Sequence, residues 1–242
     1  MPVSPGRVDP GAGRPTFADM NVELVLPCLD EEASLPALLA RVPSGWRVVV
    51  ADNGSTDRTP YVAAAAGAHV VTEPRRGYGS AVHAGLVAAS ADIVAVLDGD
   101  GSIDPADVIP LVAAVRDGTT DLACGCRRPV SADAWPWHAQ LGNRVLAAAL
   151  ARSAGLPLHD IATVRVARRE PLLALGVVDR RFGYPLETLL RARAAGWRVS
   201  EFDVAYHPRT GGRSKVTGSL RGTARALHDF ATVLLAHGGS PA

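Results

Sequence analysis

Apolar runs alternate with amphipathic stretches through the first half of the chain, and each apolar run stops at a cluster of polar residues. The runs at 22–26, 47–51, 69–71 and 93–97 are short and bounded by turn residues, which predicts buried strands. Helices are predicted between them at 31–41, 57–66 and 77–89, the second capped by Ser55 or Thr56. A fourth helix is expected to begin near Pro105, a residue suited to a first turn. Strands separated by crossover helices make a mostly parallel, Rossmann-like central sheet flanked by helices.

The second half is less regular. Strands are expected at 122–124, 163–167 and 197–205, and helices at 135–154 and 185–195. A last helix at 217–236 would carry Leu220, Ala224, Leu227, Ala231 and Leu234 on one face. No repeat or linker divides the chain, so 20–242 is read as a single domain, with a regular half at about 20–124 and a less regular half at 125–242. Residues 1–19 carry Pro, Gly and Arg without periodicity and read as a flexible tail; they lack the apolar core of a signal peptide.

Composition narrows the functional classes. The 242 residues are 48% hydrophobic, enough for a substantial core, and the net charge of +1 argues against a protein that coats nucleic acid. Arg127, Arg128, Arg144, Arg209, Arg213 and Lys215 nevertheless all follow residue 100, leaving room for a local anion site in the second half. Cys28, Cys124 and Cys126 read as small buried hydrophobes and suit a reducing cytoplasm. No apolar stretch has the length of a membrane span, so membrane contact, if made, is peripheral, at the inner face. The seven histidines lack metal-ligand spacing, and no Gly-x-Ser-x-Gly elbow exists.

In an open parallel sheet, ligands bind beyond the carboxyl ends of the strands. Asp30-Glu31-Glu32, Asp52-Asn53-Gly54-Ser55-Thr56-Asp57, Arg75-Arg76-Gly77 and Asp98-Gly99-Asp100 all fall at such ends and would share one crevice. Two carboxylates at Asp98 and Asp100 suit a hard divalent cation, Mg2+ or Mn2+, holding a nucleotide diphosphate. Asp52 at its strand end could accept hydrogen bonds from a base or ribose. Gly77 and Gly79 are expected to let the backbone pass close to a nucleotide, with Arg76 near its diphosphate; Val82 stands where a dinucleotide fingerprint needs its third glycine. Arg209-Thr210-Gly211-Gly212-Arg213-Ser214-Lys215 reads as either a solvated basic loop or a phosphate clamp.

Together, Leu26-Pro27-Cys28-Leu29-Asp30-Glu31-Glu32, Asp52 to Thr59, Gly77-Tyr78-Gly79-Ser80-Ala81 and Asp98-Gly99-Asp100-Gly101 resemble the family-2 glycosyltransferases in order and spacing. Gly211-Gly212-Arg213-Ser214-Lys215 and Gly125-Cys126-Arg127-Arg128 are most similar to motifs of the polyprenyl-phosphate (dolichyl-phosphate) mannose and glucose synthases. The resemblance implies a type-A glycosyltransferase fold, a nucleotide-sugar donor that is UDP- or GDP-linked, a divalent metal, inversion at the anomeric carbon and a polyprenyl phosphate acceptor. It implies Pro27, Leu29, Glu31 and Asp52 around base and ribose, with Asn53, Gly77 and Gly99 in the same motifs, and Arg76 and Asp98 near the diphosphate. Asp100 would be the principal metal ligand, alongside Asp98, and Arg127, Arg144, Arg213 and Lys215 would hold donor diphosphate or acceptor phosphate. Asp160-Ile161-Ala162-Thr163-Val164-Arg165 follows the corresponding aspartate-to-arginine stretch only loosely.

A phosphate acceptor is already anionic and needs no base, whereas a hydroxyl acceptor needs a carboxylate, for which Asp160 and Glu187 are the candidates. A sugar-phosphate nucleotidyltransferase would share the sheet and metal but normally carries a Gly-rich loop after the first strand, where this chain has Pro27-Cys28-Leu29. A non-catalytic nucleotide-sugar-binding module is the remaining alternative.

Overall fold

The computed structural model describes residues 21–209 apart from 132, 136, 157, 162 and 163. The expected tail at 1–19, the helix at 217–236, and Arg213 and Lys215 lie outside the described residues.

The apolar runs form strands β1 (Val22–Cys28), β2 (Arg47–Asp52), β3 (His69–Thr72) and β4 (Ile93–Val96), followed by β5 (Leu122–Pro129), β6 (Arg165–Arg168) and β7 (Val199–Tyr206). They make one sheet in the order β3-β2-β1-β4-β6-β5-β7. β3, β2, β1 and β4 are mutually parallel, and β5 pairs in parallel with β7. Only β6 is reversed, antiparallel to both β4 and β5. The winding reverses between β1 and β4, and in open α/β sheets ligands bind beyond the strand ends at such a point.

The helices are α1 (Leu35–Leu39), α2 (Thr59–Ala65), α3 (Tyr78–Ala88), α4 (Ile109–Arg116), α5 (Trp137–Ala154), α6 (Arg169–Ala174) and α7 (Tyr184–Ala194), with a 3₁₀ turn at Pro105–Val108 leading into α4. Alternation along the strands feeds two apolar layers, one on each face of the sheet. Leu24, Leu26 and Val50 join Leu35, Leu38, Leu111 and Val112 on one side. Val25, Val49, Val94 and Val96 join Val82, Leu86, Leu186 and Leu189 on the other. The three cysteines are buried and form no disulfide, in keeping with their reading as small hydrophobes. Among the described residues no helix is long and apolar enough to cross a membrane.

Three expectations need correction. The first helix does not span 31–41 but Leu35–Leu39: residues 32–34 form a turn, and the amides of Glu31 and Glu32 donate to Thr59 Oγ1 and Asp57 Oδ2. Neither Ser55 nor Thr56 caps α2: their polar groups go to Asp30, and Asp57 Oδ1 accepts from Thr59 N at 2.9 Å. Finally, α6 was not anticipated, since six residues are too few for a periodic pattern to stand out.

The start of α3 is also occupied differently from expectation. The amides of Gly79 and Ser80 donate to the carbonyls of Arg181 and Arg180 at 3.0 and 2.9 Å, so protein fills the helix N-terminus. Gly77 sits at φ 146°, and a Cβ there would collide with the Arg180 carbonyl. The glycines thus admit the 180–184 segment. That segment is anchored from α7 by Glu187, whose carboxylate accepts from Val178 N at 3.0 Å, Asp179 N at 2.6 Å and Arg191 Nε at 2.6 Å. Burial pushes the Glu187 carboxyl up, but these donors outweigh it and hold it below the usual range.

Two predictions follow from this packing. Gly77→Ala should destabilise the fold by about 2 kcal/mol, through strain and the clash with Arg180, seen as a Tm lower by about 4–8 °C. Glu187→Gln should be less stable than wild type at neutral pH. Because the folded carboxyl is held below its unfolded value, this gap should be fully present above the unfolded pKa of about 4.3 and shrink as pH falls through the folded one. Urea unfolding of both proteins between pH 3 and 7 measures it.

Candidate active site

The loops after β1 and β2 are laced together at the crevice edge. Asp30, at φ 52°, donates its amide to Ser55 Oγ at 2.9 Å, and its Oδ1 accepts from Thr56 N at 2.7 Å and from Thr56 Oγ1. Arg58 N donates to Glu32 Oε2 at 2.8 Å, completing the lacing. Asp52, the last residue of β2, is buried and accepts from the amides of Gly54 and Ser55 at 3.2–3.3 Å. Arg76 is exposed, and its guanidinium lies 3.4 Å from where a Gly54 Cβ would stand, beside the Asp52 turn. Pro27, Leu29 and Glu31 are half-buried at the end of β1. Asn53 is committed to the frame: its Nδ2 donates to the carbonyls of Glu73 and Arg75, and its Oδ1 accepts from Gly77 N at 2.8 Å. The Gly77 amide is thereby spent as well.

The loop after β4 packs directly against this edge. Ser34 Oγ donates to Gly99 O at 3.0 Å and to Glu31 Oε2 at 3.1 Å. Gly99 lies so close to Cys28 that an added Cβ would stand 2.5 Å from Sγ. Asp98 is half-buried and Asp100 only 2% exposed. Asp100 Oδ1 accepts from Ser102 N at 2.9 Å, and Oδ2 pairs with Arg209 Nη2 at 3.0 Å. Ser102 also ties the loop to the exit of β7, because its carbonyl accepts from His207 N at 2.8 Å. Burial works against the Arg209 charge, but Asp100, Asp98, Tyr206 and Glu31 outweigh it and raise its pKa.

A guanidinium on Asp100 marks a place that demands positive charge, and the donors offered are carboxylate oxygens, which suit a hard divalent ion. No cluster of three or more His, Cys, Asp or Glu able to hold a metal exists among the described residues. An ion at Asp98 and Asp100 would therefore draw its remaining oxygens from phosphate and water, as Mg2+ commonly does.

Across the sheet, β5 presents Arg127. Asp160 grips it with both oxygens, from Nε and Nη2 at 2.8 Å each, and also accepts its amide at 2.9 Å. The guanidinium lies 4.0 Å from the Trp135 ring centroid and 5.4 Å from that of Tyr206. Burial opposes the Arg127 charge, yet Asp160, with Tyr206 and Asp98, raises its pKa well above the usual value. Asp160 is itself held in place: Glu201 Oε1 accepts the amides of His159 and Asp160 at 2.9 Å, and Asn143 of α5 accepts Ile161 N at 3.0 Å. Arg144, one residue along, is exposed on α5.

The structure therefore brings Asp98, Asp100, Arg127 and Tyr206 into one electrostatic neighbourhood and gives the two candidate bases other work. Asp160 is bound bidentately to Arg127, and Glu187 accepts the backbone amides of Val178 and Asp179. Two contributors, Trp135 and Tyr206, are not singled out by the sequence, and a third, Arg209, is legible there only as the start of a basic run, because its pairing with Asp100 depends on the path of β7. Trp135 and Tyr206 carried no local signal, since neither sits in a motif and they meet only through the fold, at 5.7 Å between centroids.

Comparison with known proteins accords with this geometry. An uncharacterized glycosyltransferase of Mycobacterium tuberculosis is 61% identical over 213 residues, covering 88% of this chain and 97% of the relative. A dolichyl-phosphate hexose transferase of Haloferax volcanii is 30% identical over 200 residues, 81% of this chain and 86% of that protein. Glucosyl-3-phosphoglycerate synthase from M. tuberculosis, crystallised with Mn2+, UDP-glucose and phosphoglyceric acid, superposes with a TM-score of 0.74 at 25% identity, covering 96% of this chain and 87% of that one. The sheet order and flanking helices are those of the type-A glycosyltransferase fold. Residues 23–176 match the model of glycosyl transferase family 2, and this chain belongs to that family.

Proposed function

We propose that this glycosyltransferase moves a hexose from a UDP- or GDP-linked donor to a polyprenyl phosphate, with inversion at the anomeric carbon and with Mg2+ or Mn2+ held by Asp98 and Asp100. The observation that carries the choice of acceptor is the engagement of both candidate bases. Asp160 holds Arg127 through two 2.8 Å bonds, and Glu187 holds backbone amides and Arg191. A phosphate acceptor needs neither, because it is already a nucleophile. Arg127 is permanently charged and fixed against Trp135, suited to orient that phosphate.

In this reading Asp52, Glu31, Pro27 and Leu29 surround the nucleoside, and Arg76 and Arg209 address the diphosphate. The metal would neutralise charge developing on the departing nucleoside diphosphate. An acceptor oxygen attacks the anomeric carbon from the face opposite the diphosphate, whose bond to that carbon breaks. Support for a lipid acceptor comes from the name of the Haloferax relative and from the outer face of α5. That face exposes Leu141, Val145 and Ala148 beside Arg144 and Arg152, and the helix contains no acidic residue, a pattern that suits an anionic membrane surface. A second reading, transfer to a small phosphorylated acid, draws on the likeness to glucosyl-3-phosphoglycerate synthase.

Incubation with labelled UDP-glucose or GDP-mannose, Mn2+, and either a short polyprenyl phosphate or 3-phosphoglycerate tests the proposal. Label should pass into the solvent-extractable lipid; label found only in the phosphoglycerate product would overturn the lipid acceptor. Asp100→Asn should lower turnover at least about a hundredfold while leaving the far-UV spectrum unchanged, since the residue lies outside the strands. Wild type should also co-sediment with anionic but not neutral vesicles, and the double variant Leu141→Asp, Val145→Asp should not. Equal sedimentation of the two proteins would remove α5 from the membrane contact.

A further inference from the structure

We infer that Arg209 is the resident counter-cation of Asp100 and exchanges it for the donor diphosphate, so that divalent metal and nucleoside diphosphate bind this chain in a mutually dependent way. The inference rests on the metal assignment made above and specifies how that site is governed.

Asp100 is nearly inaccessible, with 3% of its side chain exposed, so its charge requires compensation from the protein. Both of its oxygens are engaged. Oδ1 accepts the Ser102 amide at 2.9 Å, a bond within its own loop, while Oδ2 faces Arg209 Nη2 at 3.0 Å. The arginine is no incidental surface partner. Its side chain is 29% exposed, and its backbone is registered on the same loop through His207 N and Ser102 O. Asp98, Tyr206 and Glu31 add to the negative surroundings that favour its charge.

A divalent ion arriving alone must take Oδ2 from Arg209 or share it, and either choice is unfavourable. Displacement strands a mostly buried guanidinium, and sharing sets two positive groups at contact distance. A nucleoside diphosphate removes the conflict, because its oxygens accept the guanidinium donors while Oδ2 turns to the metal. Each ligand then raises the affinity of the other by the same factor, as linkage requires. Arg209 thereby becomes a ligand of the donor diphosphate only after it has released the carboxylate.

Calorimetric titration of Mn2+ with and without UDP, corrected for the Mn2+–UDP complex formed in solution, tests this independently of turnover. For wild type, Mn2+ should bind at least tenfold more tightly when UDP is present; equal affinity in the two conditions overturns the inference. Arg209→Gln should bind Mn2+ alone at least tenfold more tightly than wild type and lose most of the dependence on UDP. Arg209→Lys, which keeps the charge, should resemble wild type. If Arg209→Gln binds Mn2+ no more tightly and keeps the dependence, the exchange is refuted while the metal site stands. Should Asp100→Asn bind Mn2+ and UDP as wild type does, the metal assignment itself fails and this inference with it.

Discussion

The structure is governed by the need to compensate carboxylates that the fold buries. Glu23, Asp52, Asp100, Asp160 and Glu187 are each no more than 5% exposed, and a buried carboxylate without compensation costs several kcal/mol. The solutions differ. Glu23 takes the amides of Ser90 and Ala91 together with Arg47, at the end of the sheet away from the crevice. Asp52 is satisfied by amides of its own turn. Asp160 and Glu187 each combine backbone donors with an arginine, Arg127 and Arg191. Asp100 has a single amide and depends on Arg209 for the rest. What a carboxylate can contribute to chemistry follows from which of these solutions it has.

That logic also explains what could be read from the chain before folding. The strands at 22–26, 47–51, 69–71 and 93–97 were legible because buried parallel strands are continuous apolar runs, and the observed β1 to β4 begin at the same residues. The polar ends of those strands were legible because little else places acidic residues directly after apolar runs. Helix α1 was overestimated because the residues preceding it are good helix formers locally, and their diversion to Thr59 and Asp57 is a tertiary event. The reversal of β6 left no mark in Arg165–Arg168, whose buried pattern suits either direction.

At the site, the placement of Asp98 and Asp100 just beyond a strand end was legible, whereas the partners of Asp160 and Glu187 were not. A carboxylate in sequence is only a charge; whether it is free depends on donors that come from elsewhere. Glu201, 41 residues beyond Asp160, fixes the backbone of that residue, and Asp160 in turn fixes Arg127, 33 residues before it. Arg209 is the sharpest instance, since 109 positions separate it from Asp100, and only the parallel course of β5 and β7 delivers it.

The filled N-terminus of α3 ties these points together. Many nucleotide-binding folds bind phosphate on helix amides after a Gly-rich turn, and Gly77-Tyr78-Gly79 has that outward look. Here the amides of Gly79 and Ser80 are already given to the carbonyls of Arg181 and Arg180, and Glu187 of α7 accepts the amides of Val178 and Asp179 just before them. With the amides of Gly79 and Ser80 withdrawn, the proposed site offers a diphosphate the side-chain cations Arg76 and Arg209 and a metal at the Asp98–Asp100 loop, unlike nucleotidyltransferases built on a glycine-rich phosphate loop. The same withdrawal makes the ion pair between Arg209 and Asp100 consequential. Where backbone dipoles do not share the phosphate charge, the partner that a single arginine chooses decides whether the site is set for a carboxylate or for a nucleotide.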